Sequence, residues 1–373
     1  MKIILKAFHW QRSLNPTKMI DLEIRLLLES DIEDVIAFYN SVYKTKRTTG
    51  YFKWLFLNGP FGSAIYVIAK DKKTNKIIGS QAAIPYQFAN HAQHIIKTAK
   101  SEDTLIHPVY RGQKISTKMY DLLFQECKKK GIQLIWGFST LDRPFLRAGF
   151  EIPLHIQQAY FSLSAKDTKA YFKKKKAPET FVDKVFLNAL SQMTILKSRI
   201  AIAKKRTLKE FEIVLETSSH SENIQQAFNL LNEADYSIQQ NMAFQVWRFH
   251  QHPNLKSSLS FFLKKAGQVY SKIQIDIKGK EASMSQFYYS ESLKDKIIMA
   301  FLFEIIAILQ EKKLVVMSSW CFDKNLSNQK QLSFLNKAGF LILNRGMNMV
   351  WKQLDPMLEL SPDQILLSKD FGL

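Results

Sequence analysis

Cysteine is nearly absent from these 373 residues: there are two, Cys127 and Cys321, in unrelated apolar contexts. Two isolated thiols make no disulfide framework and no metal-ligand spacing. Their use suits a reducing compartment, so a cytoplasmic location is expected. No His pair stands with Cys or carboxylates in a ligating pattern, and metal chemistry is not expected. Long apolar runs are also missing. The longest, Ile297 to Leu309, is broken by Glu304 and is too short to span a bilayer. Acids are scarce relative to bases, 33 against 53, for a formal net charge of +20. Such a balance favours anionic partners such as phosphates, nucleic acid or a lipid surface.

What is present is core-forming material. Hydrophobic residues make up 46% and aromatics 12%, enough for two cores in a chain too long for one ordinary domain. The amino terminus carries Lys2, Lys6, Arg12 and Lys18 but neither an apolar signal core nor a small-residue cleavage site. Residues 1–19 are therefore read as an extension, with Met19-Ile-Asp-Leu-Glu-Ile-Arg as the start of the first domain.

The stretch Thr104 to Phe150 says most about chemistry. Thr104 to Ile106 suits a buried strand end, and Pro108 forbids its continuation. Ile115, Met119, Leu122, Leu123 and Cys127 recur at helical spacing until Gly131 stops the helix. Ile132 to Phe138 reads as a second buried strand. Between first strand and helix lies Arg111-Gly112-Gln113-Lys114, where the opening N–H groups of a helix have no intrahelical partner. Those donors, the helix dipole and two adjacent cations favour an anion, above all a phosphate chain. Gly112 allows close approach, and the hydroxyls of Ser116 and Thr117 fall in the first turn. The alternative for such a basic helix start is a solvated cap.

The run Ile106-His-Pro-Val-Tyr-Arg-Gly-Gln-Lys-Ile-Ser-Thr-Lys-Met119 resembles the acyl-coenzyme A motif of the GNAT acyltransferase superfamily, Q/R-x-x-G-x-G/A. Phe145-Leu-Arg-Ala-Gly-Phe150 resembles its second landmark, a helix ending in Gly-Phe. The resemblance implies an acyl-CoA co-substrate, acetyl-CoA or another thioester, gripped by Ile106, His107, Arg111, Gly112, Gln113, Lys114, Ser116 and Thr117. Lys114 and Ser116 stand where the family prefers Gly or Ala. Phe145 occupies the place where many members carry a Tyr general acid. Glu102 and Asp103, on the strand leading into the motif, are the nearest candidates for taking a proton from an amine; both can also be ordinary strand-end charges.

The order of elements repeats. Tyr51-Phe-Lys-Trp-Leu-Phe-Leu-Asn-Gly-Pro60 returns as Phe244-Gln-Val-Trp-Arg-Phe-His-Gln-His-Pro253, and Phe145–Phe150 returns as Leu335-Asn-Lys-Ala-Gly-Phe340. Glu212-Ile-Val-Leu-Glu216 echoes the first strand, Leu22 to Leu28. The expected fold is α/β: two tandem GNAT-like domains, 20–165 and 210–352, each a mixed, mostly antiparallel sheet flanked by helices, with a tail over 353–373. Trp54 and Asn58 are candidates to line an acceptor cleft, although an aromatic under a turn also serves packing. At the place of the phosphate loop the second copy has Leu293-Lys-Asp-Lys296, without glycine, so cofactor is expected only in the first.

Residues 166–209 connect the copies. From Ser164 to Lys209 there are thirteen Lys and Arg against three acids. Val182, Val185, Phe186, Ala189, Met193, Leu196 and Ile200 keep helical spacing, which predicts an amphipathic helix over Pro178–Ala203. The favoured reading packs this stripe on one copy with its charges solvated. The others are an anionic membrane surface or tRNA.

Three function classes follow: an N-acyltransferase acting on the amine of a small molecule or amino sugar, an aminoacyl-tRNA-dependent transferase like the Fem-type proteins, and a non-catalytic acyl-CoA-binding or scaffold protein. Arg111-Gly112 argues for coenzyme A over the second.

Overall fold

Leu22-Glu-Ile-Arg-Leu26 alternates apolar and charged residues and forms the outermost strand of the first sheet, paired antiparallel to Ile65–Asp71 from Leu22↔Asp71 to Leu26↔Val67. The computed structural model describes residues 21–175, 181–202, 208, 210–217, 222–232, 235–253 and 257–372. The extension 1–19 lies outside the described residues. In chain order the elements are β1 (Leu22–Leu26), α1 (Ile32–Tyr43), α2 (Thr49–Phe52), β2 (Ile65–Asp71), β3 (Lys76–Ala89), β4 (Ile95–Ile106), α3 (Ile115–Lys129), β5 (Leu134–Ser139), α4 (Asp142–Arg147), β6 (Glu151–Ser162), α5 (Ala165–Lys175) and α6 (Phe181–Ile202). There follow β7 (Glu212–Glu216), α7 (Glu222–Phe228), β8 (Ser237–Ile238), α8 (Met242–Gln245), β9 (Ser257–Lys265), β10 (Gln268–Lys278), β11 (Glu281–Tyr289), α9 (Asp295–Glu311), β12 (Val316–Cys321), α10 (Leu326–Lys337) and β13 (Leu341–Gln353).

The described residues form two compact units, and both are discontinuous in sequence. Of the described residues, the first comprises those within 21–88, 96–153 and 346–359, and the second those within 89–95, 154–345 and 360–372. The first sheet runs β1-β2-β3-β4-β5-β13, with β4 and β5 parallel. The second runs β7-β9-β10-β11-β12-β6, with β11 and β12 parallel. Strand for strand these are the same sheet. The last strand of each is exchanged: β6, which follows the first Gly-Phe, pairs with β12, and β13, which follows the second, pairs with β5.

The repeated landmarks fall on equivalent structures. Trp54 and Trp247 are both buried on a single π-turn, Lys53–Leu57 and Val246–His250, that continues α2 and α8. The two short helices are capped alike: Thr48 accepts from the Tyr51 N–H, and Asn241 accepts from the Phe244 N–H. Gly149 and Gly339 both have positive φ, 78° and 89°, which is why each helix end needs a glycine.

In the first unit Ile115, Met119, Tyr120, Leu123 and Cys127 of α3 pack on Val67, Ala69, Ile78 and Ile135 of the sheet. In the second, Ile298, Leu302, Ile305 and Leu309 of α9 pack with Phe261, Ile273 and Met284. The tail is divided: 353–359 belong to the first unit and 360–372 to the second, where Ile365, Leu366, Leu367 and Phe371 are buried. A 3-10 turn over Glu29–Asp31 precedes α1, because the Asp31 carboxylate is held by Arg25 and by the Leu28 N–H.

The connecting helix forms as α6 but buries a different face from the one its apolar pattern suggests. Leu196 and Ile200 are 60% and 57% exposed, whereas Leu187, Leu190, Thr194, Ile195 and Ser198 are buried. The hydroxyls tolerate burial because Thr194 Oγ1 donates to Leu190 O and Ser198 Oγ donates to Thr194 O, both at 2.8 Å. Ser198 Oγ also accepts from the Ser162 N–H at 2.9 Å. The side chains of Val182 and Phe186, and the ends 178–180 and 203 of the expected helix, lie outside the described residues.

Candidate acyl-CoA site of the first unit

Strand β4 ends at Ile106 where the ring of Pro108 starts a 3-10 turn, Pro108–Tyr110. The His107 N–H is spent on Ile78 O at 2.8 Å, and the Arg111 side chain folds back so that Nε donates to Ile106 O at 3.2 Å. The chain then passes through two left-handed residues, Gly112 at φ 88° and Lys114 at φ 57°, before α3 starts at Ile115. A Cβ at Gly112 would meet nothing within 4 Å, so its glycine serves the backbone angle and leaves open space in front of the loop. Among the described residues, the N–H groups of Gly112 to Thr117 donate to no protein acceptor. Consecutive N–H groups in a turn with left-handed residues form a concave donor set at the positive end of a fifteen-residue helix. Arg111, Lys114 and Lys118 around it are exposed, and Gln113, Ser116 and Thr117 are half-buried. The equivalent start of α9 is different. Lys294 has ordinary extended angles, and Asp295 of the first turn faces Lys330 and Lys337.

Upstream of the loop, β4 and β5 pair only over Thr98–Lys100 against Leu134–Trp136. Beyond Lys100 the ladder stops, and Asp103 takes a left-handed conformation at φ 54° inside the strand. This places the two acids in unlike surroundings. Glu102 is partly exposed and its Oε2 lies 2.7 Å from Lys100 Nζ. Asp103 is buried: Oδ1 accepts from Arg47 Nη2 at 2.9 Å, and Oδ2 accepts from Arg47 Nη1 and, at 2.8 Å, from the Tyr66 hydroxyl. Burial pushes its carboxyl above the ordinary value, with Arg47 opposing. Arg47 stacks on Tyr39, its Cζ 3.3 Å from the ring centroid.

Tyr39, Tyr43 and Tyr51 stand around this pair, their phenols raised above the ordinary value chiefly by burial. Sequence reasoning missed Arg47 and these tyrosines. The available signal was Tyr39, Tyr43 and Arg47 at four-residue intervals. Trp54 is buried beside Tyr51, ring centroids 5.4 Å apart, while Asn58 is exposed at the end of the π-turn. His107 is partly buried, and burial lowers its pKa.

Phe145 is in the core, its ring 5.3 Å from Phe150 and 6.1 Å from Tyr120. The Tyr120 hydroxyl lies between Ser101 Oγ and Thr104 Oγ1, at 3.2 and 3.1 Å, and burial raises its pKa to about 12. In the second unit the β11–β12 ladder also stops, after Met284 and Ser319. The cavity beyond it is lined by Ser285, Gln286 and Trp320 and by Leu367 and Lys369 of the chain's own C-terminal segment.

Residues 23–152 match the model of the acetyltransferase (GNAT) domain. The fold is similar to that of a "Probable N-Acyltransferase" of Enterococcus faecalis V583, at 9% identity and TM-score 0.58, covering 90% of this chain and 73% of that one. It is similar to Saccharomyces cerevisiae N-myristoyltransferase with bound myristoyl-CoA, at 12% identity and TM-score 0.55, covering 94% and 85%. A tandem GNAT protein from the clavulanic acid biosynthesis pathway is matched over its whole length and 91% of this chain, at 10% identity and TM-score 0.56. No curated protein is significantly similar in sequence. The first copy thus carries an acetyltransferase (GNAT) domain, and the doubled sheet has the fold of a tandem GNAT protein.

Proposed function

We propose that the first unit binds acetyl-CoA, or another acyl-CoA, and transfers the acyl group to the amine of a small molecule or amino sugar. The observation that carries this is the row of N–H groups from Gly112 to Thr117 without protein acceptors, beside Arg111 and Lys114. A pyrophosphate supplies the acceptors that those donors lack. The yeast neighbour's bound myristoyl-CoA supports a coenzyme A thioester as donor. Ile106 and His107 flank the path of the pantetheine arm. The Ile106 carbonyl becomes available when Arg111 swings from it to a phosphate.

In the reaction the amine nitrogen attacks the thioester carbonyl, the C–N bond forms, the C–S bond breaks, and coenzyme A leaves as thiolate. Glu102 takes the proton from the amine through water. Asp103, with both oxygens engaged, keeps Arg47 and the tyrosine wall in place. With Phe145 in the usual Tyr position, thiolate departs without a dedicated acid and is protonated by solvent. Trp54 supports the acceptor side from beneath, and Asn58 offers an amide at its rim. The second unit takes no cofactor: its helix start lacks the left-handed turn, and the C-terminal segment lines the equivalent cleft.

The test is release of free thiol from acetyl-CoA in the presence of a panel of primary amines and amino sugars. Amine-dependent release with an acylated product supports the reading. Tight acyl-CoA binding without transfer to any amine points to the non-catalytic class.

A further inference from the structure

Helix α6, 22 residues long, has two apolar faces and buries only one of them. Leu187, Leu190, Thr194, Ile195, Ser198 and Ala201 face the protein. On the other side Val185, Met193, Leu196 and Ile200 are 52%, 53%, 60% and 57% exposed, and Ala189 between them is exposed as well. At helical spacing these five residues fall within an arc of roughly 80°, on the side away from the buried face. They form one stripe roughly 22 Å long rather than scattered single residues.

The surroundings of the stripe are cationic. Helix α5 packs on α6 through Phe172, Leu187 and Leu190. It exposes Lys166, Lys169, Lys173 and Lys174, and α6 adds Arg199. The segment as a whole has thirteen bases and three acids. An apolar stripe with a basic surround is the composition of a helix that lies in the plane of a membrane interface.

We propose that this face docks on an anionic phospholipid surface, with Met193 and Leu196 near the centre of the inserted stripe and the lysines at the headgroups. Charge complementarity selects this occupant. A nucleic acid would need cations at the centre of the face, where Met193 and Leu196 stand. A second copy would bring an equally basic face against this one. No helix among the described residues is long and apolar enough to cross a membrane, so the attachment is peripheral.

The test is co-sedimentation of the full chain with vesicles of phosphatidylcholine alone and of phosphatidylcholine mixed with phosphatidylglycerol. Binding should require phosphatidylglycerol, weaken with salt, and fall about tenfold or more in Met193→Gln/Leu196→Gln. Lys169→Gln/Lys173→Gln should also weaken it. Melting temperature should stay unchanged in both variants, because the altered side chains are exposed. Absence of vesicle binding, equal binding to neutral vesicles, or full binding by the Met193/Leu196 variant would overturn the proposal. So would a lowered melting temperature or a lost dimer in that variant, since either shows that protein covers the stripe. RNA binding indifferent to the stripe, without vesicle binding, would equally overturn it.

Discussion

Asp103 grips Arg47 with both carboxylate oxygens from a left-handed position inside strand β4, and the guanidinium lies flat on Tyr39. The first unit therefore holds a buried, bidentate ion pair at the point where its sheet opens. Removing one member leaves the other charged and buried. Asp103→Leu and Arg47→Met are each expected to cost about 3–5 kcal/mol, and the double Arg47→Met/Asp103→Leu markedly less than either single change. Urea unfolding of the two single variants and the double variant measures this. Additive losses would mean that the pair is not coupled.

The two neighbouring acids should separate in kinetics. Glu102→Gln is expected to lower kcat about a hundredfold, as for loss of a general base, with a loss of stability from the ion pair to buried Lys100 too small to account for it. Asp103→Ala should instead lose activity in step with its folded fraction. Thiol-release kinetics beside thermal melts distinguish them, and equal kcat in wild type and Glu102→Gln would remove Glu102 from the reaction.

Asp31 provides a pH signature at the edge of the same unit. Its bonds from Arg25, with that from Leu28 N–H, outweigh desolvation and bring its pKa down to about 2. A carboxyl depressed in the folded state adds stability above the ordinary carboxylate range and loses it as pH falls toward that lowered value. Asp31→Asn should thus cost about 1–2 kcal/mol at neutral pH, after allowance for solvent screening. The gap to wild type should close between about pH 4 and pH 2. Denaturant midpoints of both proteins across that range give the answer.

The two landmark glycines should respond unequally to alanine. A Cβ on Gly339 would lie 2.6 Å from Ala201 Cβ and 2.7 Å from Lys197 O, against a helix that cannot yield locally. A Cβ on Gly149 would meet only the flexible end of Lys352 at 2.6 Å. Both changes incur the left-handed penalty, about 1–2 kcal/mol, but Gly339→Ala should lose about 2–4 kcal/mol in all. Melting temperatures of the paired variants test the ordering.

Much of this was legible in the chain. Trp54 and Trp247, and Gly149 and Gly339, marked the duplication because a buried indole under a tight turn and a left-handed helix end each admit few residues. Arg111-Gly112 marked the loop for the same reason. The strand exchange was not legible: β6 and β13 both follow a Gly-Phe, and nothing local in either says which sheet edge it joins. The buried face of α6 was misread because hydrophobicity ranked Met193, Leu196 and Ile200 above Thr194 and Ser198. Hydroxyls bonded back to their own helix are buried at little cost. Arg47 was invisible because its partner lies 56 residues away.

The central claim is that one of the two copies, and only that one, holds the phosphates of an acyl-CoA. Calorimetry with acetyl-CoA on the wild type, Arg111→Glu, Lys294→Glu and Lys296→Glu tests it most directly. Arg111→Glu removes a charge-assisted bond of roughly 1.5–3 kcal/mol and sets a like charge against the pyrophosphate, so Kd should rise at least about tenfold. The two changes at α9 should leave Kd where it was. Equal losses at both helix starts, or a wild type that does not bind acetyl-CoA, would contradict the account.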